Sequence, residues 1–213
     1  MEAKFKDYMS DDVQKYYIET VKPILEKLKV FIQAELDGGY QLIVFGGFIR
    51  DVISKIDIDE LMKKDIDIFI NTENVNDYIA SRIIEELSCE EILSKYFDNI
   101  EVTIIDDIYL GYYSPHYPDI IGRIVLKIDN INFDISINHN DNEYRQNTDY
   151  LCNAVGYDVE DDILYCRHKK YTLDTCIHDI EHKQLTPISV FDFDDWKHRE
   201  EKMKSYGYQY VKK

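Results

Sequence analysis

The stretch from Val44 to Ile70, VFGGFIRDVISKIDIDELMKKDIDIFI, decides the fold. Its start is the end of a short apolar strand, Gln41 to Phe45, broken by Gly46-Gly47. A short helix through Val52 follows and carries Arg50 one turn in. A second strand, Ile66 to Ile70, has Asp65 and Asp67 flanking its start. Glycine belongs where another group must approach the main chain closely. A helix opened by two glycines points free backbone N–H groups at an anion, and the guanidinium of Arg50 can join the same site. Asp65 and Asp67 stand at i and i+2 on a strand, so their carboxylates share one face. Two carboxylates so placed repel each other unless a cation lies between them, and hard divalent cations prefer oxygen ligands.

A third acid of the same kind lies downstream. Ile131, Phe133, Ile135 and Ile137 alternate with Asn132, Asp134 and Ser136, which predicts a strand with Asp134 on its polar face. The segment Ile128-Asp129-Asn130-Ile131 predicts a tight antiparallel turn before it. Three carboxylates from two adjacent strands can hold two Mg²⁺ ions for in-line transfer of a nucleotidyl group.

Around this centre, Val13, Tyr17, Val21, Ile24, Leu28 and Phe31 recur at helical spacing and predict one long helix from Asp11 to Glu35. Ser10 or Asp11 caps it, Pro23 marks a break or kink, and Gly38-Gly39 ends it. A helix begins at Asn74 or Asn76 and runs to about Ser88. Glu101 to Asp129 reads as largely β, with loops at Gly111 and at Pro115/Pro118. Ile163 to Cys166 is a short strand, and Asp174 to Ile180 and Asp192 to Tyr206 are helices. Strands and helices that do not alternate regularly predict an α+β domain. The expected division is a helical segment over 1–40, a catalytic domain over 41–190, and a C-terminal helix with a basic tail over 191–213.

The chain has 213 residues, 25 Lys+Arg against 42 Asp+Glu and a net charge of −17. That balance excludes sequence-independent coating of duplex DNA, which draws its affinity from phosphate neutralisation, and disfavours acidic membrane surfaces. With 45% hydrophobic residues, the chain is expected to bury a core. No apolar run is long enough to span a membrane, and Met1 to Ser10 carries no apolar signal-peptide core. Cys89, Cys152, Cys166 and Cys176 make no CxxC pair and no zinc pattern, so reduced thiols in a cytoplasmic setting are expected. His178 and His182 are i, i+4 on a helix but lack a third ligand and are read as surface. The basic residues Arg199, Lys202, Lys204, Lys212 and Lys213, with Lys197 and His198 before them, offer a patch for a phosphate-bearing acceptor or the base of the nucleotide, but the favoured reading is a solvated amphipathic helix, Asp192 to Tyr206, with Phe191, Trp196 and Met203 as core contacts. Arg167-His168-Lys169-Lys170 is a second small basic cluster.

Taken in order, Gly46-Gly47-Phe48-Ile49-Arg50-Asp51 and Asp65-Ile66-Asp67-Ile68 resemble the head domain of class II CCA-adding tRNA nucleotidyltransferases and bacterial poly(A) polymerases, in the DNA polymerase beta-like superfamily. Asn132 to Ser136 is similar to the family's strand bearing the third acid, Asp149 to Val155 to its DFTINAL stretch, and Thr175 to Leu185 to a later segment. The resemblance implies a nucleotidyltransferase fold, a short mixed sheet with helices packed on one side, plus a long N-terminal and a C-terminal helix. It implies that Asp65, Asp67 and Asp134 are catalytic acids binding Mg²⁺ (or Mn²⁺). By the same resemblance Gly46, Gly47 and Arg50 hold the triphosphate of ATP or CTP, and Asp149 and Asn153 lie beside the nucleotide. Two departures stand out. Asn147 and Thr148 occupy the places of the family's arginine pair, with Arg145 nearby but out of register, and the glycine expected near Thr175 is absent. At 213 residues the chain is expected to hold the head without the templating and tRNA-binding helices. The readings are an NTP-dependent transferase acting on an RNA 3′ end, one acting on a small molecule or protein, and a non-catalytic binding or assembly module of the same fold.

Overall fold

Apolar and polar residues alternate along both central strands, and the pairing of those strands places the acids. The computed structural model describes residues 3–35, 40–72, 77–106, 120–138, 148–188 and 193–210. In chain order the elements are α1 (Asp11–Tyr16), α2 (Lys22–Glu35), β1 (Tyr40–Phe45), α3 (Gly47–Ile53), α4 (Ile58–Leu61), β2 (Ile66–Thr72), α5 (Asp77–Ser88), α6 (Glu90–Leu93), β3 (Ile100–Asp106), β4 (Ile120–Ile128), β5 (Ile131–Asn138), β6 (Val155–Asp158), β7 (Ile163–Cys166), α7 (Leu173–Glu181), β8 (Gln184–Leu185), α8 (Phe193–Ser205) and β9 (Gln209–Tyr210). Strands β1 to β7 form one sheet in the order β3-β4-β5-β2-β1-β6-β7. β2 and β5 pair in parallel and the other neighbours antiparallel, so the sheet is mixed, as expected.

The period of two sorts residues between the faces. Leu42, Val44, Ile66, Ile68, Ile70, Ile124, Leu126, Phe133 and Ile135 are buried with the inner faces of the helices in one core. Asp67 and Asp134 therefore lie on the opposite face, side by side, because Asp67 is the register partner of Asp134. The hairpin between β4 and β5 turns at Asp129 (φ 48°) and Asn130 (φ 68°), the left-handed pair a two-residue turn demands.

The N-terminal helix runs unbroken from Asp11 to Glu35, but through one wider π turn, Tyr17–Val21. That turn directly precedes Pro23, which cannot donate the next helical bond. Of the two cap candidates Ser10 serves, its hydroxyl accepting the Val13 N–H at 3.5 Å. Gly38-Gly39, Gly111, Pro115 and Pro118 lie outside the described residues. Strand β6 gave no warning in the sequence, since all four of its residues are buried and show no alternation. Among the described residues no helix is long and apolar enough to cross a membrane.

An aromatic cluster fastens the first residues to the sheet. Phe5 is buried against Tyr157 (ring centroids 4.9 Å apart), Tyr17 (5.5 Å) and Phe48 (6.3 Å). Tyr17 donates its hydroxyl to Tyr157 at 2.8 Å, and Tyr157 donates to Asp162 at 2.9 Å. Burial, more than any neighbour, pushes the Tyr17 phenol up to about 12. Phe5→Ala is expected to cost about 3–5 kcal/mol by emptying this cluster. Denaturant titration measures it, and a loss below about 1 kcal/mol would show that residues 3–8 add little to the fold.

Candidate active site

Gly46 has φ +71° and ψ −136°, and a Cβ there would come within 2.6 Å of Asp67 Oδ2. Both facts require glycine. Gly47 opens α3, and its backbone N–H donates to the Asp67 carboxylate. The glycine pair is thus seated on the acid, and β1 and β2, paired Phe45 to Asp67, hold the two together. Asp67 is pushed up to about 6. Burial is the main cause, the charges of Asp134 and Asp65 add to it, and the Gly47 N–H and Lys202 act the other way.

Asp134 is bound by Arg123 of β4, which lies across the hairpin on the same face. Arg123 Nε donates to Oδ1 at 2.8 Å and Nη2 to Oδ2. Asp65 is exposed and accepts from Asn132 Nδ2 at 3.2 Å. The three predicted acids thus lie near one another, Asp65 and Asp67 at the start of β2 and Asp134 in the middle of β5. Among the described residues, however, no three His, Cys, Asp or Glu side chains are disposed around a common metal position. The chemistry of the donors, though not their present arrangement, is what a hard divalent cation prefers. The donors are all oxygen, and their like charges raise the proton affinity of Asp67, the stress a cation would relieve. Entry of a cation would require Asp134 to turn from Arg123.

Arg50, Asp149 and Asn153 come together in one network. Arg50 is buried, with Nε on Asp51 at 2.8 Å and Nη1 on Asn153 Oδ1 at 2.8 Å and Met203 Sδ at 3.4 Å. Its Nη2 lies 3.6 Å from where a Cβ on Gly47 would stand, so the guanidinium borders the glycine turn. Burial works against its charge, but Asp51, Tyr208 and Cys152 together outweigh it and hold the guanidinium more firmly protonated than usual. Asn153 Nδ2 donates to Asp149 Oδ1 at 2.9 Å, which also accepts the Tyr150 N–H at 2.8 Å. Arg199 Nη1 donates to Asp149 Oδ2 at 3.1 Å.

The sequence marks Arg199 only as one of a basic group and does not announce its bond to Asp149. Helix α8 reads as solvated, yet it lies over this network. Trp196 packs on Tyr150 with centroids 4.9 Å apart, and Met203 touches Arg50. Arg199 falls on the stripe between these two apolar residues, and that spacing was the available signal. Arg167, of the second basic cluster, is not at the surface. Its guanidinium is buried, 4.5 Å from both ring centroids of the stacked pair Phe45–Phe69. Gly156 leaves room for it, since a Cβ there would come within 3.1 Å of Arg167 Cγ. His168 is buried too, so only Lys169 and Lys170 of that cluster are exposed. Arg145, Asn147, Phe191, Lys212 and Lys213 lie outside the described residues.

No protein-family model and no curated protein matches the chain. Solved structures do match. A CCA-adding enzyme in complex with ATP aligns with 98% of this chain at TM-score 0.56 and 14% identity. A complex of such an enzyme with CTP aligns with 94% at TM-score 0.52 and 16% identity, and an apo form with 94% at TM-score 0.57 and 14% identity. The chain has a nucleotidyltransferase fold. It spans 42% of the length of the two nucleotide-bound enzymes.

Proposed function

We propose that this chain transfers a nucleoside monophosphate from an NTP to an acceptor hydroxyl and releases pyrophosphate. The observation that carries the proposal is the seating of the Gly46-Gly47 turn on Asp67, with Asp134 in register on the neighbouring parallel strand. Enzymes of this fold are solved with ATP and with CTP, which supports an NTP, ATP or CTP, as donor. Mg²⁺ (or Mn²⁺) held by Asp65, Asp67 and Asp134 would neutralise the triphosphate and favour the deprotonated acceptor. The chain's own residues orient the site. The Gly47 N–H fixes the Asp67 carboxylate, Arg123 holds Asp134, and Asn153 and Asp149 hold Arg50 beside the glycine turn where phosphates would lie. An RNA 3′ end is the acceptor the fold suggests. The charge of −17 favours a short acceptor stretch or a small molecule over a long RNA track.

One feature favours the non-catalytic reading: Arg50 and Asp134 already have internal partners. Incubation with each labelled NTP and Mg²⁺ or Mn²⁺, offered tRNA, oligo(A), protein or metabolite extract, decides. Label on an acceptor supports transfer and names the acceptor. Nucleotide binding without transfer supports a binding module, and the absence of both binding and transfer under every condition refutes both enzymatic readings.

Arg123→Ala supplies a sharper test of the acid cluster. The substitution removes a competitor for Asp134 and makes the site more negative. Mn²⁺ affinity is expected to rise about three- to tenfold, in keeping with the modest worth of a half-exposed ion pair. Electron paramagnetic resonance of free Mn²⁺ measures it. Unchanged affinity would mean that Asp134 is not a ligand.

A further inference from the structure

Away from the acids, two thiols meet. Cys166 ends the edge strand β7 and Cys176 lies in α7, yet the Cys176 thiol donates to Cys166 Sγ at 3.4 Å. The His168 backbone N–H donates to the same sulfur, also at 3.4 Å. Cys166 is half-buried, whereas Cys176 and the nearby Cys152 are buried. The bond from Cys176 above all, with the His168 N–H and the Arg167 charge, holds the Cys166 thiol below its usual range against the opposing effect of burial. The Cys176 thiol is pushed up by its bond to Cys166 and by burial. Burial pushes Cys152 up as well. One sulfur of the group is therefore thiolate-prone and reachable, with a second directly behind it. Among the described residues no three His, Cys, Asp or Glu side chains gather for a metal here.

We infer that Cys166 and Cys176 form a reversible, peroxide-responsive dithiol, Cys166 being the nucleophile and Cys176 the resolving thiol. The Cys166 thiolate attacks one oxygen of a hydroperoxide. The O–O bond breaks, the departing oxygen takes up a proton and leaves as water or alcohol, and Cys166 becomes a sulfenic acid. The Cys176 sulfur then attacks the Cys166 sulfur and loses its proton, the S–O bond breaks, and water leaves. Overall the two sulfurs give up two electrons and the peroxide accepts them. A disulfide spans about 2.05 Å, so the sulfurs need approach by only about 1.4 Å. The bond would tie β7, where Arg167 follows Cys166 and lies over Phe45–Phe69, to α7, which packs on α3 and on the turn Leu151–Asn153. These elements flank the candidate site from two sides.

The test is oxidation of the full chain by stoichiometric hydrogen peroxide at pH 7, followed by denaturing alkylation, intact mass and peptide mapping. The expected result is the loss of two alkylatable thiols, a Cys166–Cys176 cross-linked peptide, and full reversal by a dithiol reductant. Cys166 is expected to react at least about tenfold faster than Cys89. In Cys176→Ser a dimedone-reactive sulfenic acid should persist on Cys166, and Cys166→Ser should leave Cys176 unoxidised. Oxidation of Cys89 or Cys152 first, a different pairing, or no reaction under conditions that oxidise a free model thiol would overturn the inference. The wild-type readout needs no variant to fold and no transferase activity, so it stands or falls separately from the proposed function.

Discussion

Asp67→Asn is expected to abolish nucleotidyl transfer and, at neutral pH, to raise the melting temperature. Both effects have one source. Asp67 sits beside Asp134 and Asp65, largely withdrawn from water, and its carboxyl is pushed up to about 6. The unfolded chain would titrate it near 3.9. Between those values the native state binds more protons than the unfolded state, so this group makes stability fall as pH rises from about 4 through about 6. The ionised form costs on the order of 2–3 kcal/mol at pH 7. Asparagine removes that charge and keeps an oxygen to accept the Gly47 N–H. The same substitution deletes a cation ligand, and a loss of about 4 kcal/mol of transition-state stabilisation corresponds to about 10³-fold in rate. Parallel thermal denaturation at pH 4 and pH 7 should show the stabilisation only at the higher pH. Divalent-cation affinity of the wild type should weaken progressively as pH falls below about 6, because the proton competes for Asp67. A variant that loses stability together with activity would show Asp67 to be a structural residue instead.

The second large effect separates two adjacent glycines. Gly46→Ala meets two independent penalties. Its backbone lies at φ +71°, which costs a non-glycine residue about 1–3 kcal/mol. Its new methyl would stand 2.6 Å from Asp67 Oδ2, forcing the carboxylate out of place. Transfer is expected to fall at least about 10²-fold, since misplacement of a reacting constellation by about 1 Å costs that much. Gly47→Ala meets neither penalty. Its φ is not left-handed, and its nearest contact would be Arg50 Nη2 at 3.6 Å, an ordinary approach. Stability there should hold or rise slightly, because alanine favours helix, and transfer should stay within about tenfold of wild type, in line with a change of at most 1.4 kcal/mol. Steady-state kinetics and denaturant titration on the pair measure both. Equal behaviour of the two variants would remove the special role given to Gly46.

Whatever depends on near neighbours is written locally in the chain. The period of two in Ile66 to Ile70 and Ile131 to Ile137, the glycine break after Phe45, and the aspartate-asparagine turn at 129–130 are local patterns. Local patterns fix which face a side chain takes, so strands, turn and acids were legible. Which distant groups meet depends on how the elements pack. Asp67 faces Asp134 because β2 and β5 pair in parallel and in one register. Arg123 claims Asp134 because β4 lies antiparallel beside β5, and no spacing in the chain announces that pair. Arg199 reaches Asp149 across fifty positions because helix α8 closes over the Arg50 network. Cys166 and Cys176, which carry no metal-binding or redox spacing, meet because α7 packs against the end of β7. The reason is physical. Periodicity encodes the direction of a side chain relative to its own backbone, whereas ion pairs and thiol contacts depend on the packing of elements that the chain brings together only when the core is buried.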